Sequence, residues 1–208
     1  MGVYGDQVLP RALDLWMRGA DVRRVRARVA AGMAGEVLEI GFGSGLNVPH
    51  YPAGVTRVLA VDPATVGRRL AATRIAAHAV PVEFVGTDAQ AIPVAGGCAD
   101  FVLSTWTLCS IPDPGRALAE AYRVLRPGGA FHFVEHGLSP DARVARMQRR
   151  LTPLHRRAVG GCHLDRRISE LVTGAGFRLT RLENYYFHRP RAVGYTYEGA
   201  AIKPLAGA

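Results

Sequence analysis

Cysteine is scarce in this chain: Cys98, Cys109 and Cys162 are the only three in 208 residues, and no two form a C-x-x-C pair. An odd number at wide spacing argues against a disulfide framework and points to a reducing, cytoplasmic setting. Long apolar runs are missing too; no stretch approaches about 18 consecutive apolar residues, so no transmembrane helix is expected. Asp6, Arg11, Asp14 and Arg18 interrupt the basic-then-apolar layout of a signal peptide. Lysine is nearly absent, Lys203 being the only one, so arginine carries the formal net charge of +9. A basic balance of this kind can mean nucleic acid or an anionic membrane surface, but the favoured reading is a solvated, arginine-rich exterior. Neither a low-complexity linker nor an internal repeat divides the chain.

The chain does have a core. With 49% hydrophobic residues over 208 positions, it fits one domain, residues 1–208, that needs no staple. Residues 8–31 read as one or two helices, with Leu9, Leu13, Trp16 and Met17, then Val22, Val25 and Val29 at helical spacing among arginines. Strand-like runs follow at 36–40, 57–61, 81–85, 99–104, 130–135 and 177–187, with a last one near 194–202. Helical patterns at 65–79, 115–125, 140–152 and 165–175 lie between several of them, each closed by glycine or proline. This alternation predicts an α/β fold, a mostly parallel sheet with helices on both faces. Residues 1–31 are expected to form a helical cap and 137–165 a segment covering the substrate.

Glu39-Ile40-Gly41-Phe42-Gly43-Ser44-Gly45 falls where the first strand ends. Glycines at alternate positions let the backbone turn sharply and bring its N–H groups against a ligand. The loop departs from the dinucleotide fingerprint, because Leu46 stands where the third glycine would fall. The segment Asn47–Pro52, with two prolines, makes a poor long helix. By itself the loop leaves open a nicotinamide site or a plain strand-to-helix turn. Asp62 ends the second strand, where a carboxylate can accept both ribose hydroxyls or, before Pro63, cap a helix. Asp88 follows the third strand and can accept from an adenine amino group, while Ala89 leaves room for the ring. The fourth strand opens into Ser104-Thr105-Trp106-Thr107. All four features occur in order at consecutive strand tips, and together they favour an adenosyl ligand.

These residues resemble the class I S-adenosylmethionine-dependent methyltransferases over nearly the whole chain, including the helix and turn ending Val124-Leu125-Arg126-Pro127-Gly128-Gly129. The resemblance implies a Rossmann-like seven-stranded sheet whose last strand runs antiparallel. It implies S-adenosyl-L-methionine as cofactor, with Gly41, Gly43 and Gly45 under the methionine part, Asp62 at the ribose, and Asp88 and Ala89 at the adenine. Glu39, Phe42, Asn47, Pro63, Ser104 and Trp106 are expected among the cofactor-binding residues as well. A narrower likeness, to methyltransferase-like thiol S-methyltransferases of animal cells, rests on Leu108-Cys109-Ser110-Ile111, Arg123–Gly129, Phe133-Val134-Glu135-His136, Gly161-Cys162-x-Leu164-x-Arg166 and the stretch Asn47–Pro52 followed by a glycine. The hydrophobic N-terminal anchor of those proteins has no counterpart in this sequence.

The expected function is therefore methylation of a small molecule, with an apolar thiol leading. The alternative is a lipid or quinone-type precursor at a membrane surface, where Arg18–Arg28 would meet anionic headgroups. Nucleic-acid methylation is disfavoured, because Ser104–Thr107 lacks the Asn-Pro-Pro-aromatic step of base-amino enzymes; a cofactor-binding scaffold without activity is a further reading. A thiol reacts as thiolate, so a base or a cation near it helps. Glu135 and His136, leaving the fifth strand, are the catalytic candidates, His136 as base or substrate contact, against the plainer reading of a histidine bonded to backbone. Trp106 is either a wall of the site or core. Tyr4 and His50 are candidates for closing it. Cys109, Cys162 and His163, with His155 nearby, could suggest a metal, but the H-x6-C-H spacing matches no common zinc pattern, and no metal is expected.

Overall fold

The computed structural model describes residues 7–205, so Tyr4 lies outside the described residues. Seven strands form one sheet in the order β3-β2-β1-β4-β5-β7-β6. They are β1 (Gly35–Ile40), β2 (Val55–Val61), β3 (Val82–Gly86), β4 (Ala99–Thr105), β5 (Leu125–His136), β6 (Arg178–Tyr186) and β7 (Tyr195–Ile202). The strands from β3 to β5 pair in parallel, and β7 runs antiparallel to both its neighbours, as the resemblance implied. Inner strands of such a sheet are covered on both faces, which is why Val37-Leu38-Glu39-Ile40 is buried without a break. Edge strand β6 instead alternates between exposed and half-buried positions.

Two hydrophobic clusters fill the two faces. Leu38, Ile40, Leu59 and Val61 pack with Leu118, Ala121, Ile168 and Val172. Val37, Val58 and Ala60 pack with Val25, Val29, Met33 and Phe42. The helices that cover them are α1 (Leu9–Trp16), α2 (Ala20–Ala30), α3 (Thr65–Ala76), α4 (Pro114–Val124), α5 (Ala142–Ala158), α6 (Ile168–Gly174) and the short α7 (Arg191–Gly194). The sequence places α4 with clear signals. Asp113 caps it by accepting from the Arg116 amide, Pro114 starts it, and Ala117, Leu118, Ala121 and Val124 face the core. At its other end the single lysine donates from Nζ to the carbonyls of Tyr122 and Leu125, both at 2.7 Å, completing the helix terminus.

α5 runs further than its sequence pattern predicts, to Ala158 with Pro153 inside it. Tertiary anchoring overrides the proline. Buried Gln148 accepts from the Ser139 amide and donates to the Gly137 carbonyl, fastening the helix to the end of β5 on both sides. No described helix is long and apolar enough to cross a membrane. Of the arginines of 18–28, read above as a surface for anionic headgroups, four are exposed and three of those four have a carboxylate partner within the chain. Arg18 pairs with Asp14, Arg24 with Asp21 and Arg28 with Glu198, while Arg26 is buried.

Arg28 joins α2 to β7. Its Nε and Nη2 donate to the two oxygens of Glu198 at 2.7 and 2.6 Å, and the Tyr185 hydroxyl donates to the same carboxylate at 2.6 Å. Burial works against the Glu198 charge, but these hydrogen bonds and the Arg28 charge outweigh it and hold the carboxyl below its usual range. A depressed carboxylate contributes stability above its unfolded pKa and loses it as the pH falls through the folded value. Arg28→Ala leaves a buried acceptor with fewer donors, so it should destabilise the fold by about 2 kcal/mol at neutral pH. The gap between variant and parent should shrink in acid, as measured by urea unfolding across pH.

Candidate active site

The chain leaves β1 for β2 on one side and crosses to β4 on the other, so a crevice opens at the carboxyl ends of β1 and β4. The turn after β1 has Gly41 at φ +76 and Gly43 at φ +54. Only glycine fits at Gly41, since an added Cβ would stand 2.0 Å from the Thr107 hydroxyl oxygen of the loop after β4. The Gly43 amide donates to Asp62 Oδ2 at 2.7 Å, and Asp62 Oδ1 accepts from the Ala64 amide at 2.7 Å. Asp62 therefore serves both roles considered for it: it caps the start of α3 and faces the cleft. Burial raises its pKa against those two amides.

The cleft has a volume of about 420 Å³. Gly41, Phe42, Gly43, Asp62, Pro63, Asp88, Ala89, Trp106 and His136, all expected at the site, line it. The glycine cradle, the Asp62 carboxylate and the exposed Asp88 form the donor and acceptor set an adenosyl cofactor needs at these strand tips. Asp88 already accepts from the Gln90 side chain and amide, and both hold its pKa below the ordinary value. Glu39, Gly45, Asn47, Ser104 and Glu135 do not line the cleft; they stand behind its wall and shape it. His50 is not in the wall either. α1 closes one side with Leu9, Leu13, Asp14, Trp16 and Met17. Of the segment 137–165, only Val159, Gly160 and Cys162 reach the cleft.

Behind the glycine turn lies a buried polar network. Asn47 Nδ2 donates to Glu39 Oε1 at 2.8 Å and to the Thr105 hydroxyl at 3.0 Å, and the Tyr51 hydroxyl donates to Glu39 Oε2. Arg26 reaches in from α2 and donates to Asn47 Oδ1 and Thr105 Oγ1, both at 2.8 Å. Burial lowers Arg26 to about 10 even beside the Glu39 charge, and burial pushes Glu39 up to about 7. Arg26 was missed in the sequence because it sits among surface arginines. Its signal was its position: Val22, Val25, Arg26, Val29 and Ala30 form one helical face, and all five are buried.

A second buried carboxylate organises the loop after β4. Glu135 Oε1 accepts from Ser104 Oγ at 2.7 Å and the Thr107 amide at 3.0 Å; Oε2 accepts from the Cys109 amide at 3.1 Å. Trp106 sits in this clamped loop at φ +51, a strained conformation for a large side chain. Its indole lies 5.1 Å from the Arg26 guanidinium and 6.0 Å from the Phe187 ring, and it is wall rather than core.

Beyond Trp106 the cleft ends at sulfur and imidazole. Cys162 Sγ lies 3.4 Å from Cys109 Sγ and 3.5 Å from His136 Nδ1, so His136 bonds to a side chain rather than to backbone. The shared thiol hydrogen bond, helped by His136 and His155, lowers the Cys162 pKa and raises that of Cys109.

Comparison with known proteins agrees with this geometry. The family model for a methyltransferase domain matches residues 38–133. Human thiol S-methyltransferase TMT1A is 33% identical over 79% of this chain and 72% of its own length. The chain spans from 62% to 72% of the length of the thiol S-methyltransferases it matches. The ubiquinone/menaquinone C-methyltransferase UbiE of Methylobacterium nodulans is 41% identical over 34% of this chain and 27% of that one. Among solved structures, Haemonchus contortus phosphoethanolamine N-methyltransferase 2 in complex with S-adenosylhomocysteine superposes with a TM-score of 0.70. It is 17% identical, covering 94% of this chain and 57% of that one, a likeness of fold.

A carboxyl with a raised folded pKa stabilises the fold below its unfolded value, and that contribution is lost as the pH rises through the folded value. For Glu39 the window runs from 4.5 to about 7. The stability of the parent should therefore carry a falling component across that window. Glu39→Gln should flatten it, measured as urea midpoints at about pH 5 and about pH 8.

Proposed function

This chain belongs to the class I S-adenosylmethionine-dependent methyltransferases, and on that premise we propose that it methylates the sulfur of a small apolar thiol. The observation that carries this reading is the far end of the cleft. Trp106, Ile111 and Val159 make it apolar, and the polar groups there include the His136 imidazole and the Cys162 thiol. The carboxylates of the cleft, Asp14, Asp62 and Asp88, belong to its other walls on α1 and at the tips of β2 and β3. An amine or hydroxyl acceptor needs a strong base beside it; a thiol, with a pKa near ~8.5, needs only modest help to ionise.

S-adenosylmethionine supplies a methyl group made electrophilic by its sulfonium. The chain's own residues bind, orient and exclude water. The Gly41–Gly43 turn receives the methionine part, Asp62 the ribose hydroxyls, and Asp88 with Ala89 the adenine. Trp106, fixed by its clamped loop, forms the wall between cofactor and acceptor. His136 meets the acceptor's sulfur. Displacement at a methyl group requires collinear attack, so rigid placement of the two partners supplies much of the rate.

A second reading, a lipid or quinone-type acceptor, draws on Leu15 and Trp16, which stand 72% and 57% exposed on the helix that rims the cleft. Partition of the protein onto vesicles and methyl transfer to a quinone precursor would favour it over the thiol.

Incubation with labelled cofactor and a series of alkane and aryl thiols should give the methyl thioethers. Transfer to a quinone or an amine with none to any thiol would remove the thiol assignment. Asp88→Ala should weaken cofactor binding about tenfold, the worth of one hydrogen bond, by calorimetry. His136→Ala should lower kcat at least about tenfold while leaving cofactor affinity unchanged.

A further inference from the structure

We propose that Cys109, His136 and Cys162 bind one thiophilic divalent cation, zinc above all, whose remaining position faces the cleft and takes the sulfur of the acceptor. The acceptor half of this proposal rests on the thiol reading above; the cation half does not.

The three side chains come from three separate segments: the loop after β4, the tip of β5 and the loop between α5 and α6. Their donor atoms nevertheless lie within 4.8 Å of one another, with separations of 3.4 Å between the sulfurs and 3.5 Å from Cys162 Sγ to His136 Nδ1. A tetrahedral zinc with Zn–S near ~2.3 Å and Zn–N near ~2.0 Å holds its ligand atoms about 3.5 to 3.8 Å apart. The cluster is thus close to ligating geometry. Two thiolates and the cation also sum to zero charge, which limits the cost of burial.

The frame is fixed before any cation arrives. Glu135 holds the Cys109 amide at 3.1 Å, and the Cys109 carbonyl accepts from the His163 amide at 2.8 Å. Gly161, at φ +89, lets the second loop come close: a Cβ there would lie 2.8 Å from the Ser110 carbonyl oxygen. The Cys162 carbonyl is 3.1 Å from His155 Nδ1. Packing explains part of the cluster, since both cysteines and Leu164 are buried with Leu151 and Val159. It does not account for an imidazole nitrogen aimed at the sulfurs, nor for Cys162 and His136 opening on the cleft. Three protein ligands and one open position is the arrangement of a zinc that handles substrate, as opposed to a closed structural site.

The chemistry balances. The acceptor binds through sulfur and its S–H proton leaves to solvent. A sulfur lone pair then forms the new bond to the methyl carbon while the methyl–sulfonium bond breaks. The products are a neutral thioether and S-adenosylhomocysteine. The thioether, no longer an anion, binds the cation less tightly and departs.

The test uses the full chain, stripped by a chelator and kept reduced with a phosphine, titrated with cobalt(II). One equivalent should produce tetrahedral d–d bands and a thiolate-to-cobalt charge-transfer band, and an alkane thiol should shift the d–d bands. Cys109→Ser and Cys162→Ser should each weaken cobalt binding at least about 100-fold, while Cys98→Ser leaves it unchanged. Parental affinity for S-adenosylhomocysteine certifies that each variant is folded. Absence of the tetrahedral spectrum, or its persistence in folded Cys162→Ser, overturns the site. Undiminished thiol methylation by the stripped protein overturns the cation's role and leaves the thiol assignment standing. The cobalt spectrum without methylation of any thiol overturns the acceptor role and leaves the cation site.

Discussion

The cleft depends on one carboxylate that water does not reach. Glu135 is fully buried, and burial raises its pKa, yet the Ser104 hydroxyl on β4 and the Thr107 and Cys109 amides of the loop after it converge on its carboxylate. An unpartnered group there would be costly, so the loop after β4 has to fold so that the Thr107 and Cys109 amides reach it. That requirement sets the strained turn at Trp106, presses Thr107 against Gly41, where a Cβ would not fit, and carries Cys109 to the end of the cleft. The wall of the cleft at Trp106 and its far end at Cys109 are thus built by the same interaction.

A second carboxylate does comparable work one strand away. Glu39, through Asn47 and Tyr51, fixes the short turn Val48–His50 behind the glycine loop, and Arg26 ties that network to Thr105 and to α2. Because Glu39 and Glu135 stand at the tips of β1 and β5, they bracket β4 from both sides. α1 is fastened to the same region. Asp14 pairs with Arg74 at 3.0 Å, and Arg74 donates to the Ser44 carbonyl in the glycine loop at 2.6 Å. The rim helix therefore rests on the cofactor loop it covers.

Part of the positive charge in this chain is structural. A net charge of +9 suggests an external polyanion. Yet Arg26, Arg28, Arg74 and Arg123 each bond to side chains or carbonyls of the chain itself, and the lone lysine ends a helix.

The sequence by itself determined the sheet and the order of its strand tips, and placed its expected cofactor residues at those tips. Those rest on local signals: apolar runs of strand length, glycines at the first tip, and acidic residues ending the second and third strands. Asp62, Asp88 and the Gly41–Gly43 turn were legible as residues of the cleft because each stands at a fixed place in a repeating βα pattern. Only the tertiary structure decided which polar residues line the cleft and which stand behind its wall. Glu39, Asn47, Ser104 and Glu135, expected at the site, lie behind the lining and bond to one another and their surroundings, since a polar side chain buried there has to find a partner inside. Cys109, His136 and Cys162 each lie in a stretch shared with a known family, but no spacing joins the three. Their separations of 53 and 26 residues are long-range, and long-range proximity is a property of packing, which no spacing in the chain records.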